Sequence, residues 1–321
     1  MKSQLAKSLI IMLIAICLIA STFTGCSSNG TKYSVDKVVI TYVKSPLNVP
    51  SIVEKAKGSF EAAYKELGLE MGYSDLNSGA DQTAALASGD IQILNAVGGT
   101  SVLLSAANGA DIKIISMYSR SPKAFMMFSN DASITSPEAL RGKTIGGPKG
   151  TNLHELLVAY LRTGNMTIND VNFVQMDIPS AQAALENGSI DAALLAGANA
   201  YNCQKSGKHL VTNGEGLISA TIVTATTSNF YKENKDLVDA FIQVQDDTLD
   251  FIEKNHDEAM QLAAEATELD ISAVEEMYPM YNFSSAITDE DIASLKSTQQ
   301  FLLDNGMIES TVDIDELILK R

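Results

Sequence analysis

The spacing of apolar residues changes period repeatedly along the chain, and each change marks an element. Asp36 to Val43 concentrates Val38, Val39, Ile40 and Val43 between polar flanks, which predicts a strand. Ser45-Pro46-Leu47-Asn48 then turns into a helix with Pro50 near its first turn, running to about Leu67 with a weak point at Gly58. Strands are predicted at Gly68–Leu76, Ile91–Val97 and Ile112–Met117, separated by helices at Gln82–Ala87 and from Gly98-Gly99 to Asn108-Gly109. The same grammar resumes after Ser129. Ser136-Pro137-Glu138 has the composition of a helix start. Gly142-Lys143-Thr144-Ile145 enters a glycine-rich turn, and beyond it Leu153, Leu156, Leu157 and Tyr160 share one helix face. Val171–Gln175, Ile190–Leu195 and His209–Val211 read as strands, with a helix at Pro179–Leu185 and another opening at Gly197. Strands alternating with helices predict an α/β fold with a mostly parallel sheet.

An internal repeat organises these elements. Ala84-Ala85-Leu86-Ala87-Ser88-Gly89-Asp90-Ile91 matches Ala183-Ala184-Leu185-Glu186-Asn187-Gly188-Ser189-Ile190 at a constant offset of 99. In both copies a helix stops at a glycine suited to the left-handed conformation, and a strand leads into a second glycine and a new helix. This pattern predicts two related doubly wound lobes. The chain crosses between them at Tyr118–Lys123, followed by a strand at Ala124–Phe128, and at the β-branched run Ala220–Thr227. One lobe then comprises residues 36–121 plus 222–321, and the other residues 122–221. The C-terminal part is helical: Val238, Phe241, Ile242, Leu249 and Ile252 share a face, further helices follow at Asp257–Ala266, Ile271–Met277 and Asp289–Leu303, and Thr288 with Asp291 makes a capping-box start.

The chemistry concentrates at the helix starts. The stretch Gly146-Gly147-Pro148-Lys149-Gly150-Thr151-Asn152-Leu153-His154-Glu155 is a strand, glycine turn and helix start. Such a start presents backbone N–H groups and the positive end of a dipole, and glycines let a guest approach closely. Thr151 and Asn152 add side-chain donors. The same residues would also serve a capped junction that binds nothing. From one lobe Ser45, Asn48, Gly99, Thr100 and Ser101 stand at comparable positions; from the other, Asn199 joins Thr151 and Asn152, with Arg120 or Ser121 at the crossing. The flagged turns contain no Asp or Glu, which favours an anionic or neutral polar ligand. Two placements are open to His154, the cleft or the surface, and Tyr201 is either a stacking platform or packing.

Composition changes the picture at the N-terminus. Lys2 and Lys7 precede an apolar run from Leu9 to Ala20 that ends in Phe23-Thr24-Gly25-Cys26. A run of that length suits the core of a signal peptide better than a membrane span. Residues 1–25 therefore read as a leader that resembles a lipoprotein signal, with Cys26 as the lipidated first residue and residues 26–35 as a tether. A plain secretory signal with an incidental cysteine is the alternative. The net charge of -16 argues against nucleic acid as a partner. After Cys26 only Cys203 remains, which excludes an internal disulfide and a thiolate metal cluster, and His154, His209 and His256 have no ligand spacing. No Gly-x-Ser-x-Gly elbow or Walker lysine loop occurs. No metal, cofactor or catalytic residue is expected.

The motifs resemble those of the solute-binding lipoproteins of ABC importers, in the branch with nitrate-, taurine-, aliphatic-sulfonate- and pyrimidine-precursor-binding proteins. The segments that carry the resemblance are Lys55-Ala56-Lys57-Gly58-Ser59-Phe60-Glu61, Ala85 to Ile91, Leu140-Arg141-Gly142-Lys143-Thr144-Ile145 to Thr151, and Asn169-Asp170-Val171 through Gly188-Ser189-Ile190-Asp191. The resemblance covers the chain from about Asp36 to the C-terminal helices. It implies a periplasmic-binding-protein-like fold of type II, with a ligand in the cleft between two hinged lobes. It also implies a lipid-anchored, extracytoplasmic monomer that docks on a permease and its ATPase. A small oxyanion such as a sulfonate, taurine or nitrate is the expected ligand, and a pyrimidine thiamine precursor or other heteroaromatic is the alternative. The chain departs from sulfonate and nitrate binders at Ala196-Gly197-Ala198-Asn199, where an aromatic-Glu-Pro turn is usual, and it contains no tryptophan. A sensory lipoprotein of the same fold is a further reading. A pyrimidine synthase is disfavoured, because its cysteine-rich run is absent.

Overall fold

A computed structural model describes residues 32–76 and 78–320. The lipidation expectation at Cys26, with its leader, lies outside the described residues. The chain divides into two units, and the elements named here belong to the second, the body Lys37–Arg321.

The body begins with β1 (Lys37–Thr41), α1 (Val49–Lys57), α2 (Ser59–Glu66) and β2 (Glu70–Ser74). The weak point at Gly58 is a full break: Gly58 takes φ 64°, ends α1 and starts α2. Then come α3 (Gly79–Ser88), β3 (Leu94–Gly98), α4 (Gly99–Ala107) and β4 (Lys113–Arg120). A short turn of 3-10 helix leads to β5 (Phe125–Ser129) and β6 (Thr144–Gly147). Next are α5 (Asn152–Thr163), β7 (Asn172–Gln175), α6 (Ile178–Glu186), β8 (Ala192–Ala196), α7 (Gly197–Lys205) and β9 (His209–Asn213). The chain then enters β10 (Thr221–Thr226), α8 (Ser228–Glu233), α9 (Lys235–Lys254), α10 (His256–Thr267) and α11 (Ile271–Met277). It finishes with β11 (Asn282–Phe283), α12 (Asp289–Asp304) and α13 (Ile314–Leu317).

Both copies of the repeat stop a helix at a left-handed glycine, Gly89 at φ 84° after α3 and Gly188 at φ 76° after α6. Thr288 and Asp291 form the capping box at the start of α12. The expected helix at Ser136 is corrected to one 3-10 turn, Pro137–Leu140, because Gly142 at φ 72° turns the chain away within a few residues.

The expectation of a mostly parallel sheet is also corrected. β1 pairs in parallel with β2, and an Ile40–Ile93 bridge runs parallel beside β3. The four-stranded sheet has the order β11-β4-β10-β3, with β10 antiparallel to both β3 and β4. The five-stranded sheet has the order β7-β6-β8-β5-β9, with β5 antiparallel to β8 and β9. The strands that carry the chain between the sheets are the ones inserted against the prevailing direction. One consequence positions the site: β3 and β4 run the same way, as does β1, so their carboxyl ends share one side.

Apolar faces close the layers. Leu156 and Leu157 of α5 are fully buried against Ile145 and Leu194, and each contributes about 1.5–3 kcal/mol. On the other sheet Val97, Ile114, Val223, Leu295 and Leu302 form the matching core. The long helix α9 packs its Phe241 ring on Phe60 of α2, 5.0 Å between centroids. Its Gln245 pins the four-stranded sheet, donating to Met117 O (2.8 Å) and accepting from Ser116 Oγ (2.6 Å).

Candidate functional site

The starts of α4 and α5 meet. Gly98 is extended and Gly99 opens α4 against β10, where a Cβ on Gly99 would lie 2.8 Å from Thr221 Oγ1. Only a glycine lets the helix begin this close to the sheet. Thr100 is thereby buried, and its Oγ1 donates to Asn152 Oδ1 of α5 at 2.8 Å. One turn inside α5, Glu155 turns back to the same place: its Oε2 lies 3.5 Å from Thr100 Oγ1, and its Oε1 accepts from Thr298 Oγ1 of α12 at 3.0 Å. Burial raises the Glu155 carboxyl to about 7, with the Thr298 and Thr100 hydroxyls pulling the other way. At neutral pH this group therefore holds a proton for much of the time. The contact joins three helices and supplies two hydroxyls, an amide and a half-titrated acid beside two sets of first-turn amides.

A second contact lies at the turn before α1. Gly197 opens α7 at φ 59°, and a Cβ there would meet Pro46 O at 2.4 Å and Pro46 Cα at 2.6 Å. Ser45 is exposed in this turn, and its carbonyl accepts from Asn48 Nδ2 at 2.9 Å. Asn48 is buried and braces the turn with that bond. Asn199 is half-buried and donates to Gln182 Oε1 of α6 at 2.6 Å. Tyr201 is half-buried beside a gap of about 10 Å³ lined by Met126, Gly197, Ala200, Met277 and Tyr281 among others.

The other flagged residues have these places. Thr151 caps α5 by position, while its hydroxyl donates to Pro148 O at 2.9 Å. Ser101 is buried on the first turn of α4, facing Gly79, where an added Cβ would meet Ser101 Oγ at 2.2 Å. Ser121 is fully buried at the end of β4 and donates to Ser119 Oγ at 3.1 Å. Arg120 reaches α12, donating Nε to Asp291 Oδ1 at 2.6 Å and Nη2 to Asp291 Oδ2 at 2.5 Å. The surface placement of His154 is corrected: the side chain lies in the interior. The ring is buried between Phe173 (4.8 Å, stacked) and Phe301 (6.0 Å, edge-on). Burial, with Lys149 adding to it, lowers its pKa to about 4, so the ring is neutral at pH 7. Gly150 N–H donates to Nδ1 at 3.4 Å, and buried Nε2 has no protein partner.

Glu155 was not among the residues flagged from sequence, and it brings a carboxyl to a place read as free of them. Its signal was available: it lies one turn beyond Thr151, where a side chain leans back over the helix start. A second carboxyl missed in the same way, Glu54 of α1, is fully buried near the carboxyl end of β1. Among the described residues no group of three or more His, Cys, Asp or Glu could hold a metal ion.

Residues 46–259 match the family model described as NMT1/THI5 like. An aliphatic sulfonates-binding protein of Bacillus subtilis (strain 168) is 26% identical over 318 residues, covering 97% of this chain and 94% of that protein. The taurine-binding periplasmic protein of Escherichia coli (strain K12) is 26% identical over 212 residues, 65% of each. The alkanesulfonate-binding protein SsuA from Xanthomonas axonopodis pv. citri, solved bound to MOPS, superposes with a TM-score of 0.81 at 18% identity, covering 89% of this chain and 99% of that one. That likeness establishes the periplasmic-binding-protein fold.

Proposed function

The chain belongs to the NMT1/THI5-like family, and from that premise we propose that it is the extracytoplasmic solute-binding component of an ABC importer, capturing a small organosulfonate or similar oxyanion. In this reading residues 36–121 with 222–321 form one lobe and residues 122–221 the other, and they close on the ligand as a hinge. The observation that carries the reading is the Thr100–Asn152 contact, which sets two helix starts face to face. Both direct dipole and amide N–H groups at the same point, where an oxyanion gains charge-assisted hydrogen bonds of about 1.5–3 kcal/mol each. Gly99, Thr100, Ser101, Thr151 and Asn152 are assigned to the ligand site, with Ser45, Asn48, Ser121, His154 and Asn199 around it.

The protein acts without catalysis, as a monomer tethered through lipid on Cys26, and hands its ligand to a permease whose ATPase drives transport. A heteroaromatic ligand is the second reading, with the half-buried Tyr201 as its stacking platform. Thermal-shift screening of the protein over sulfonates, nitrate, carboxylates and pyrimidines tests both. A rise with sulfonates that is lost in the Thr151→Val, Asn152→Ala double variant supports the first. A rise with pyrimidines alone transfers the argument to the second, and no rise with any of them ends both.

A further inference from the structure

A buried polar cluster lies apart from the Thr100–Asn152 contact, where β3 passes the last residue of β1. Glu54 of α1 is fully buried, and Asn95 of β3 is 1% exposed. Asn95 Nδ2 donates to Glu54 Oε2 at 2.7 Å. The two remaining oxygens, Glu54 Oε1 and Asn95 Oδ1, are both buried and have no protein partner. The surroundings hold this pair rigidly. Asn95 N donates to Thr41 Oγ1 at the end of β1 (2.6 Å), and Thr41 Oγ1 donates back to Asn95 O (3.0 Å). Tyr118 of β4 accepts from Ser51 N with its hydroxyl (3.1 Å) and bonds Ser51 Oγ (3.0 Å). The residue after Asn95, Ala96, takes φ 65°, a conformation that costs a non-glycine residue energy and is kept where a site requires it.

With Glu54 neutral its free oxygen carries the proton, so that hydroxyl lacks an acceptor, and Asn95 Oδ1 is costly to bury without a donor. The titratable and charged groups around Glu54 do not supply one. Tyr73 of β2 gives its proton to Glu61 of α2 at 3.0 Å, Tyr118 is engaged with Ser51, and the Lys55 ammonium lies over the Tyr42 ring at 3.8 Å. We propose that Glu54 and Asn95 form a subsite for a primary ammonium group, so that the ligand is a zwitterion with an oxyanion at one end and an amine at the other. The inference rests on the oxyanion reading for the first end only. An ammonium has donors for Glu54 Oε1 and Asn95 Oδ1 together.

The subsite has a proton signature. Burial holds the Glu54 carboxyl at about 8, against the pull of the Asn95 bond, so the acid is neutral at pH 7 before an amine arrives. The ammonium keeps its own proton, Glu54 ionises, and the displaced proton leaves to solvent. Titration calorimetry at pH 7 in two buffers of different ionisation enthalpy reads this directly on the unmodified protein. The comparison pairs are taurine with ethanesulfonate and homotaurine with propanesulfonate. At least one amine should bind about tenfold tighter than its partner and release close to one proton, and Glu54→Gln should abolish both differences. Equal affinity within both pairs, no proton release, or an amine preference that survives Glu54→Gln overturns the subsite.

A separate arm removes dependence on the oxyanion reading. Methylammonium chloride should raise the melting temperature of the wild type more than sodium chloride does, and should not do so in Glu54→Gln. If it does while no sulfonate binds, the subsite stands and the sulfonate reading falls. If methylammonium acts no differently from sodium, the two oxygens hold a structural water and the proposal fails.

Discussion

Replacing Glu155 by Gln isolates the proton held between α5, α4 and α12. In the folded chain this carboxyl titrates near 7, against 4.5 for a free one, so between those values the folded state keeps a proton that the unfolded chain has released. The contribution of Glu155 to stability is thus complete below about pH 4.5 and is lost as the pH rises through 7. The interval corresponds to about 3 kcal/mol by linkage. Gln does not titrate, so urea unfolding of wild type and Glu155→Gln from pH 4 to 8 should give curves that diverge by about that amount in favour of the variant on the alkaline side. Glu54, raised to about 8, and His154, lowered to about 4, titrate in both proteins and drop out of the difference. Parallel curves would refute the reasoning, because they would mean that Glu155 ionises in the folded state as freely as in water.

Two further substitutions test the geometry around the site. Gly197→Ala forces a left-handed backbone and a Cβ onto the Pro46 carbonyl, so it should cost more than about 1 kcal/mol, read as a lowered melting temperature; an unchanged value would show that the turn before α1 does not press on α7. Arg120→Lys removes the two-pronged grip on buried Asp291 and should cost about 1–3 kcal/mol in urea unfolding, whereas a loss of ligand affinity at unaltered stability would put Arg120 in the site instead.

Much of the fold was legible because its signals are local. Gly58, Gly89 and Gly188 each break a helix where the sequence places them, and the Thr288–Asp291 box needs only four consecutive residues. Strand direction was not legible. The β-branched run of β10 announces a strand, but its insertion between β3 and β4 depends on the sheet it returns to. Ser136-Pro137-Glu138 has the letters of a helix start, yet the chain leaves the helical path at Gly142. At the site, the repeat pairs Thr100 with Asn199, yet Thr100 meets Asn152 of α5, which lies outside both copies, and Asn199 turns to Gln182 instead. The buried acids were hidden for a physical reason: a glutamate on an amphipathic helix is normally solvated, and only tertiary packing places Glu54 and Glu155 inside. His154 was equally open from sequence, since aromatic neighbours contributed by β7 and α12 decide its burial.

The order of strands has a consequence for how the molecule is made. All of the five-stranded sheet comes from residues 125–213, an unbroken stretch, while the four-stranded sheet takes β3 and β4 from before it and β10 and β11 from after it. During synthesis β3 and β4 emerge without the strand that belongs between them and must wait, edges uncovered, while the later-born sheet gathers all of its partners and sets first. The half that is translated first is therefore the half that is finished last.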